Sequence, residues 1–251
     1  MKLVTSVKQS IETVTLLGVP FVKTTLSDMA VTLAKHAESK EKAFVVTANP
    51  EIVLHTQNDR EYHQAIEKAT YVTADGIGIV KGARFMGHRL PERVTGFDLF
   101  MRLLGTANEL GQSAYFLGAR EAVLNKTLDT IHKEFPGLVI AGSHHGFFDW
   151  TSQEIAEEIK TKKPDYVFVA LGFPLQEKWI ARNFPEFDQG IFIGIGGSFD
   201  VLAGEVKRAP YIWQKWNVEW LYRLVKQPAR CRRMAALPWF IFKVMKEKIK
   251  R

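Results

Sequence analysis

Short apolar runs of strand character alternate with helical periodicities through most of this chain, and that alternation limits its possible folds more than any other feature. "AFVVTA" (43–48), "TYVTA" (70–74), "SAYFLGA" (113–119), "LVIAGS" (138–143), "DYVFVALG" (165–172) and "GIFIGIGG" (190–197) have the length and composition of buried strands. Helical patterns separate them. They are "PEIVLHTQNDREYHQAIEKA", opened by Pro50, then "GIGIVKGARFMG", "TGFDLFMRLLGTANEL" (95–110), and segments 120–134, 151–163 and 174–184. Strands buried on both faces and joined by helices predict an α/β fold, with a mostly parallel sheet covered by helices on both sides in a Rossmann-like arrangement. With 46% hydrophobic residues among 251, the chain can fill such a core.

The pattern stops near residue 205. Residues 1–206 form the predicted α/β core, and 207–251 a helical appendage of two or three short helices punctuated by Pro210, Pro228 and Pro238. Charge divides at the same place. From Lys207 onward there are 13 Lys and Arg against Glu219 and Glu247, or +11; the rest of the chain carries −4, for a total of +7. The appendage also holds Trp213, Trp216, Trp220 and Trp239. Cations interleaved with indoles predict a polyanionic partner: anionic lipid, phosphate or nucleic acid. No apolar run approaches the roughly 20 residues that span a bilayer, and the first residues lack the pattern of a secretory leader. The chain is therefore expected to be soluble or to rest on a membrane from one side. The lone Cys231 excludes an intramolecular disulfide.

Ligands of open parallel sheets bind beyond the carboxyl ends of the strands. "TANPE" (47–51), "ADGIG" (74–78), "LGAR" (117–120), "LGFPLQEKW" (171–179) and "GIGGSFD" (194–200) occupy those positions. Asp75 follows a strand directly, where partial desolvation makes a carboxylate a better base; capping of the next helix is the plainer alternative. Gly76 and Gly78 remove side chains that would keep a ligand away. Thr47 and Asn49 either meet a ligand or serve the turn before Pro50. Neither "GIGIVK" nor "GIGGSFD" completes a dinucleotide fingerprint, which disfavours a nicotinamide enzyme, although the second brings backbone N–H groups toward a phosphate or simply packs tightly. Arg89 and Arg93 precede a helix start, where an arginine is unfavourable without an anion. No Asp-x-Asp pair and no His/Cys metal motif occurs.

Six ordered segments carry a resemblance to a known family: "TANPEIV", "TADGIGIV", "ERVTGFDL", "LGFPLQEKWI", "GIGGSFDVLAGEVKRAP" and "NVEWLYRLVKQPARCRRM". Together they resemble the WecG/TagA/CpsF glycosyltransferases over nearly the whole chain. The resemblance implies an inverting transfer of N-acetylmannosamine from UDP-N-acetylmannosamine to the 4-hydroxyl of a polyprenyl-diphosphate-linked N-acetylglucosamine, as in the wall teichoic acid linkage unit. The uronic acid donor is the alternative within the family. A nucleic-acid-binding module built on the basic tail is the alternative from another class, although the resemblance implies no nucleic-acid partner. It implies no metal and no cofactor. It makes Asp75 the base, puts Thr47 and Asn49 beside the donor sugar, and puts Arg93 and Gln176 on the sugar or diphosphate. Gly76, Gly118, Gly172, Gly196 and Gly197 border the substrates, and Arg223, Arg230 and Arg233 arrive from the appendage to neutralise phosphate charge. It further implies a cytoplasmic protein held peripherally on the inner face of the cell membrane, and self-association as a homo-oligomer.

Overall fold

The protein's structure, a computed structural model, describes residues 11–216, 218–226 and 236–250, with the backbone alone at Arg223 and Lys226. Six parallel strands form the central sheet: β3 (Lys42–Ala48), β4 (Tyr71–Ala74), β5 (Ser113–Gly118), β6 (Val139–His144), β7 (Tyr166–Ala170) and β8 (Gly190–Gly194). Their order is β4-β3-β8-β7-β5-β6. All six strands read from the sequence are present. Those expected to reach residues 172 and 197 stop at Ala170 and Gly194, because the glycine-containing turns after them leave the hydrogen-bond ladder.

The inner strands are buried on both sides, as the continuous apolar runs require; all five residues of β7 and of β8 are buried, whereas β6 at the edge of the sheet is half-buried and exposes Val139. One face of the sheet is covered by α2 (Pro50–Thr56), α3 (Arg60–Glu67), α4 (Ile77–Phe85), α7 (Glu154–Lys162) and α8 (Leu175–Asn183). The other is covered by α1 (Leu26–Glu38), α5 (Gly96–Leu110), α6 (Glu121–Glu134) and α9 (Ser198–Leu202). The helix expected across 50–69 is split. Asp59 accepts from Tyr62 N at 3.0 Å and so caps a fresh helix, α3. An antiparallel hairpin ahead of the sheet, β1 (Thr13–Leu16) and β2 (Val19–Val22), is an addition to the sequence reading. Its two-residue turn, Leu17-Gly18, has positive φ at both positions (49° and 82°), the geometry that matches strand twist.

Beyond the sheet lie α10 (Tyr211–Lys215), α11 (Glu219–Lys226) and α12 (Ala236–Lys250). Pro238 sits in the first turn of α12, where a missing N–H costs nothing, so it opens this helix rather than interrupting it. Phe240 and Val244 are buried and join the core cluster that includes α2 and α4. The reason is legible in α4. A Cβ on Gly82 would lie 3.0 Å from the Phe240 ring, and one on Gly78 would lie 2.9 Å from Leu237 Cδ1. Two glycines four residues apart leave a bare track for α12. Gly78, expected to clear room for a ligand, clears room for the chain's own C-terminal helix. Glu247 then accepts from Leu17 N at 3.2 Å, and Lys248 donates to Phe85 O at 2.6 Å. The opposite side of α12 exposes Trp239, Ile241, Phe242, Met245 and Ile249. Among the described residues no helix is long and apolar enough to cross a membrane.

Candidate active site

Chain connections leave β5 and β7 in opposite directions, toward β6 and β8 respectively. That reversal opens a crevice at the carboxyl ends of these strands. Gly118 ends β5 there, with φ at 131°, and a Cβ on it would lie 2.4 Å from the Ala170 carbonyl carbon. Only glycine lets the two strand ends approach so closely. Gly172 follows β7, and Gly196 and Gly197 follow β8.

Asp75 sits at the end of β4, half-buried, its N–H donating to Ala48 O at 2.9 Å. It does not cap the helix that follows it. Gly76 is the residue at the start of α4, with φ at 111°, and no side chain caps that helix. Instead Asp75 Oδ2 accepts from Gly96 N at 3.3 Å, twenty-one residues away, at the first turn of α5. Loop 86–95 makes this possible by returning to the sheet, where Val94 N donates to Ala74 O at 2.9 Å. Thr95 caps α5 locally. Gly96 also meets β3, since a Cβ on it would lie 2.9 Å from Thr47 Oγ1. Asp75, Thr47 and the first N–H of α5 therefore converge. Asn49 lies next to them, its Oδ1 accepting from Ile52 N at 3.0 Å to cap α2. Its role in the turn before Pro50 is thus occupied in fact.

Arg93 reaches this corner from the same returning loop. Its Nη1 is 3.8 Å from Glu219 Oε2 on α11, with side chains 17% and 9% exposed, so the pair is shielded from solvent. Arg208 ties the start of the appendage to the same helix end. Its Nη2 donates to Asp98 Oδ1 at 2.6 Å, and its guanidinium lies 4.7 Å from the Phe97 ring centroid. Glu219 and Arg208 were not singled out in the sequence. Glu219 could have been: it is one of two acids in a strongly basic segment. Of the appendage arginines, Arg223 lies on α11, while Arg230 and Arg233 fall outside the described residues.

Gln176 is not disposed as a ligand-reading side chain. It is 5% exposed, its Oε1 accepts from Gly196 N at 3.0 Å, and its Nε2 donates to Glu177 Oε1 at 2.7 Å. Glu177 is 1% exposed. Burial pushes its carboxyl up to about 7, against the lowering effect of the Gln176 hydrogen bond. The Tyr62 hydroxyl approaches its other oxygen without closing a hydrogen bond.

Among the described residues no cluster of three His, Cys, Asp or Glu could hold a metal ion. A cleft of about 780 Å³ between the β1–β2 turn, the end of α2 and α12, lined by Gly18, Gln57, Trp239 and Lys246, shares no residue with the rim described above. The rim thus carries a carboxylate and a hydroxyl meeting at the first turn of α5, a guanidinium on the adjoining loop, and glycine turns at the neighbouring strand ends.

Residues 14–251 match the family described as glycosyl transferase WecG/TagA/CpsF. The chain is 39% identical over 211 residues to the N-acetylglucosaminyldiphosphoundecaprenol N-acetyl-beta-D-mannosaminyltransferase of Bacillus spizizenii, covering 84% of this chain and 82% of that protein. It is 37% identical over 239 residues to the protein of the same name from Staphylococcus aureus, covering 94% of each.

Proposed function

We propose that this chain, which belongs to the glycosyl transferase WecG/TagA/CpsF family, transfers N-acetylmannosamine in β linkage from UDP-N-acetylmannosamine to N-acetylglucosaminyl-diphospho-undecaprenol. The names of the relatives support the acceptor and the transferred sugar. The observation that carries the catalytic assignment is the carboxylate of Asp75, fixed by the Gly96 N–H at the carboxyl end of the sheet, beside Thr47.

In this reading Asp75 takes the proton from the acceptor 4-hydroxyl as that oxygen attacks the anomeric carbon. The bond from the anomeric carbon to the UDP oxygen breaks, its electrons leave with the diphosphate, and the sugar inverts. Thr47 and the free end of the Asn49 amide border the donor sugar. Arg93 meets the diphosphate, exchanging its long contact with Glu219 for a phosphate oxygen. Arg223, Arg230 and Arg233 add positive charge from the appendage, so charge on the departing UDP is balanced by guanidiniums. The reaction proceeds without a metal, and turnover persists in chelator. The exposed apolar side of α12, flanked by Lys243, Lys246 and Lys250, rests on the anionic inner face of the cell membrane and keeps the enzyme beside its lipid-linked acceptor.

Incubation with UDP-N-acetylmannosamine and a lipid-diphosphate N-acetylglucosamine tests the reading. UDP release dependent on both substrates is expected. Its absence, with an authentic transferase active in parallel, overturns the reading; release from the uronic acid donor alone moves the chain to the other branch.

A further inference from the structure

Gln176 presents a problem of polarity. A carboxamide has one accepting and one donating end, of nearly equal size, and packing alone does not distinguish them. Here the choice matters, because the Gly196 N–H points at one end. Turned the other way, two donors would face each other in a site that is 5% exposed at Gln176. The end facing Glu177 decides the matter. Glu177 Oε1 accepts from Gln176 Nε2 at 2.7 Å, as either oxygen of an ionised carboxylate does and the carbonyl oxygen of a neutral carboxyl does. The strand beside them is shaped to admit this amide. A Cβ on Gly194 would lie 2.6 Å from Gln176 Nε2, so β8 is bare where the carboxamide crosses it.

We infer that Glu177 is a positioning residue for the donor site: it sets the polarity of the Gln176 carboxamide, which pins the Gly196 amide and with it the glycine turn after β8. The inference rests on the proposed function only in taking that turn as a wall of the donor diphosphate site. It gives Gln176 the task of holding a backbone, in place of the direct ligand contact that the family resemblance implied. It also explains why an acid, costly to bury, occupies a position surrounded by Tyr62 and the core.

Two variants and two readouts test this on the full chain. Glu177→Met keeps the volume and removes the acceptor; Glu177→Gln keeps an acceptor. Hydrogen exchange at the Gly196 amide, read by NMR without ligand, is expected to speed up about tenfold in E177M, the loss of roughly one hydrogen bond, and to stay at the parent rate in E177Q. The donor KM is expected to rise by about the same factor in E177M with kcat little changed, and to be restored in E177Q. Parent-like exchange and KM in E177M, or an E177Q as impaired as E177M, overturns the inference. If E177M fails to fold, Glu177→Leu replaces it: lacking an acceptor, it must release the Gly196 amide while E177Q does not, and equal exchange in the two is the overturning result. Failure of the parent to release UDP overturns the transferase reading instead, and exchange at Gly196 still decides the role of Glu177.

Discussion

Strand β7 separates two buried carboxyls that behave in opposite ways. Asp165, just before the strand, is 5% exposed. Burial alone would raise its pKa, but donors surround it: Lys40 Nζ at 2.6 Å and Ser113 N and Oγ, each at 2.9 Å, hold the carboxyl below the ordinary carboxylate range. Glu177, just beyond the strand on α8, is more deeply buried and receives far less, and its carboxyl rises to about 7. Donors rather than depth decide which carboxyl stays charged. At the amino end of the sheet Asp165 is saturated by donors and ties β7 to β5. At the carboxyl end they hold glycine turns and the half-buried Asp75, where the chemistry is proposed to take place.

The sharpest way to break this contrast is kinetic. Asp75→Asn is expected to lower kcat by about 10²–10⁴-fold, the usual worth of a positioned base, while UDP affinity stays near that of the parent. Asp165→Asn, equally conservative, should leave kcat within about twofold, since its partners lie at the far end of the strands. Steady-state UDP release decides. If Asp75→Asn turns over normally, the carboxyl end has lost its distinction.

A second test uses pH. The native Glu177 carboxyl keeps its proton to about 7, whereas an ordinary glutamate releases it near 4.5, so the unfolded chain ionises first. Stability is therefore lost as pH rises from about 4.5 to 7, by about 3 kcal/mol at the upper end. Glu177→Gln should remove that loss, and should melt above the parent at pH 8 but not at pH 4.5. Identical pH profiles for the two proteins would show that Glu177 titrates normally.

Asp165 should do the reverse. Its lowered carboxyl contributes stability above the ordinary carboxylate pKa, and that stability is lost as pH falls through the folded value. Asp165→Ala leaves the Ser113 donors without their acceptor and should cost about 2 kcal/mol at pH 7, with a smaller difference at pH 3. Denaturant titrations at the two pH values measure it. The smallest effect is expected on nucleotide affinity at Glu219, whose Oε2 lies 3.8 Å from Arg93 Nη1 in a pair shielded from solvent; Glu219→Gln keeps the shape of the side chain and removes its charge. Removing that competitor for Arg93 should lower the Kd for UDP modestly, by isothermal titration; weaker binding would mean that the pair organises the site.

The positions of the candidate residues along the chain were readable before folding was considered. Asp75, Thr47 and Asn49 stood at strand ends, and strand ends are local features of composition. What misled the reading were residues with a plausible local partner and a different real one. Asp75 looked like a cap for the helix beginning two residues later, yet its hydrogen bond goes to Gly96. Gly78 looked like space for a ligand, yet Leu237 fills it. Glu177 stood unnoticed inside a recognised motif, because an acid on a helix reads as solvated until its surroundings are known.

The sequence by itself determined the six parallel strands, the helices over both faces and the family, since each follows from periodicity or from motifs a few residues long. The tertiary structure decided which end of Gln176 faces Gly196, which helix Asp75 serves, and that α12 lies on the two glycines of α4. The physical reason is range. Hydrophobic periodicity acts between neighbours along the chain, whereas a hydrogen bond between residues 75 and 96, or a helix seated on residues far before it, exists only after the chain has closed on itself and water has been excluded from between them.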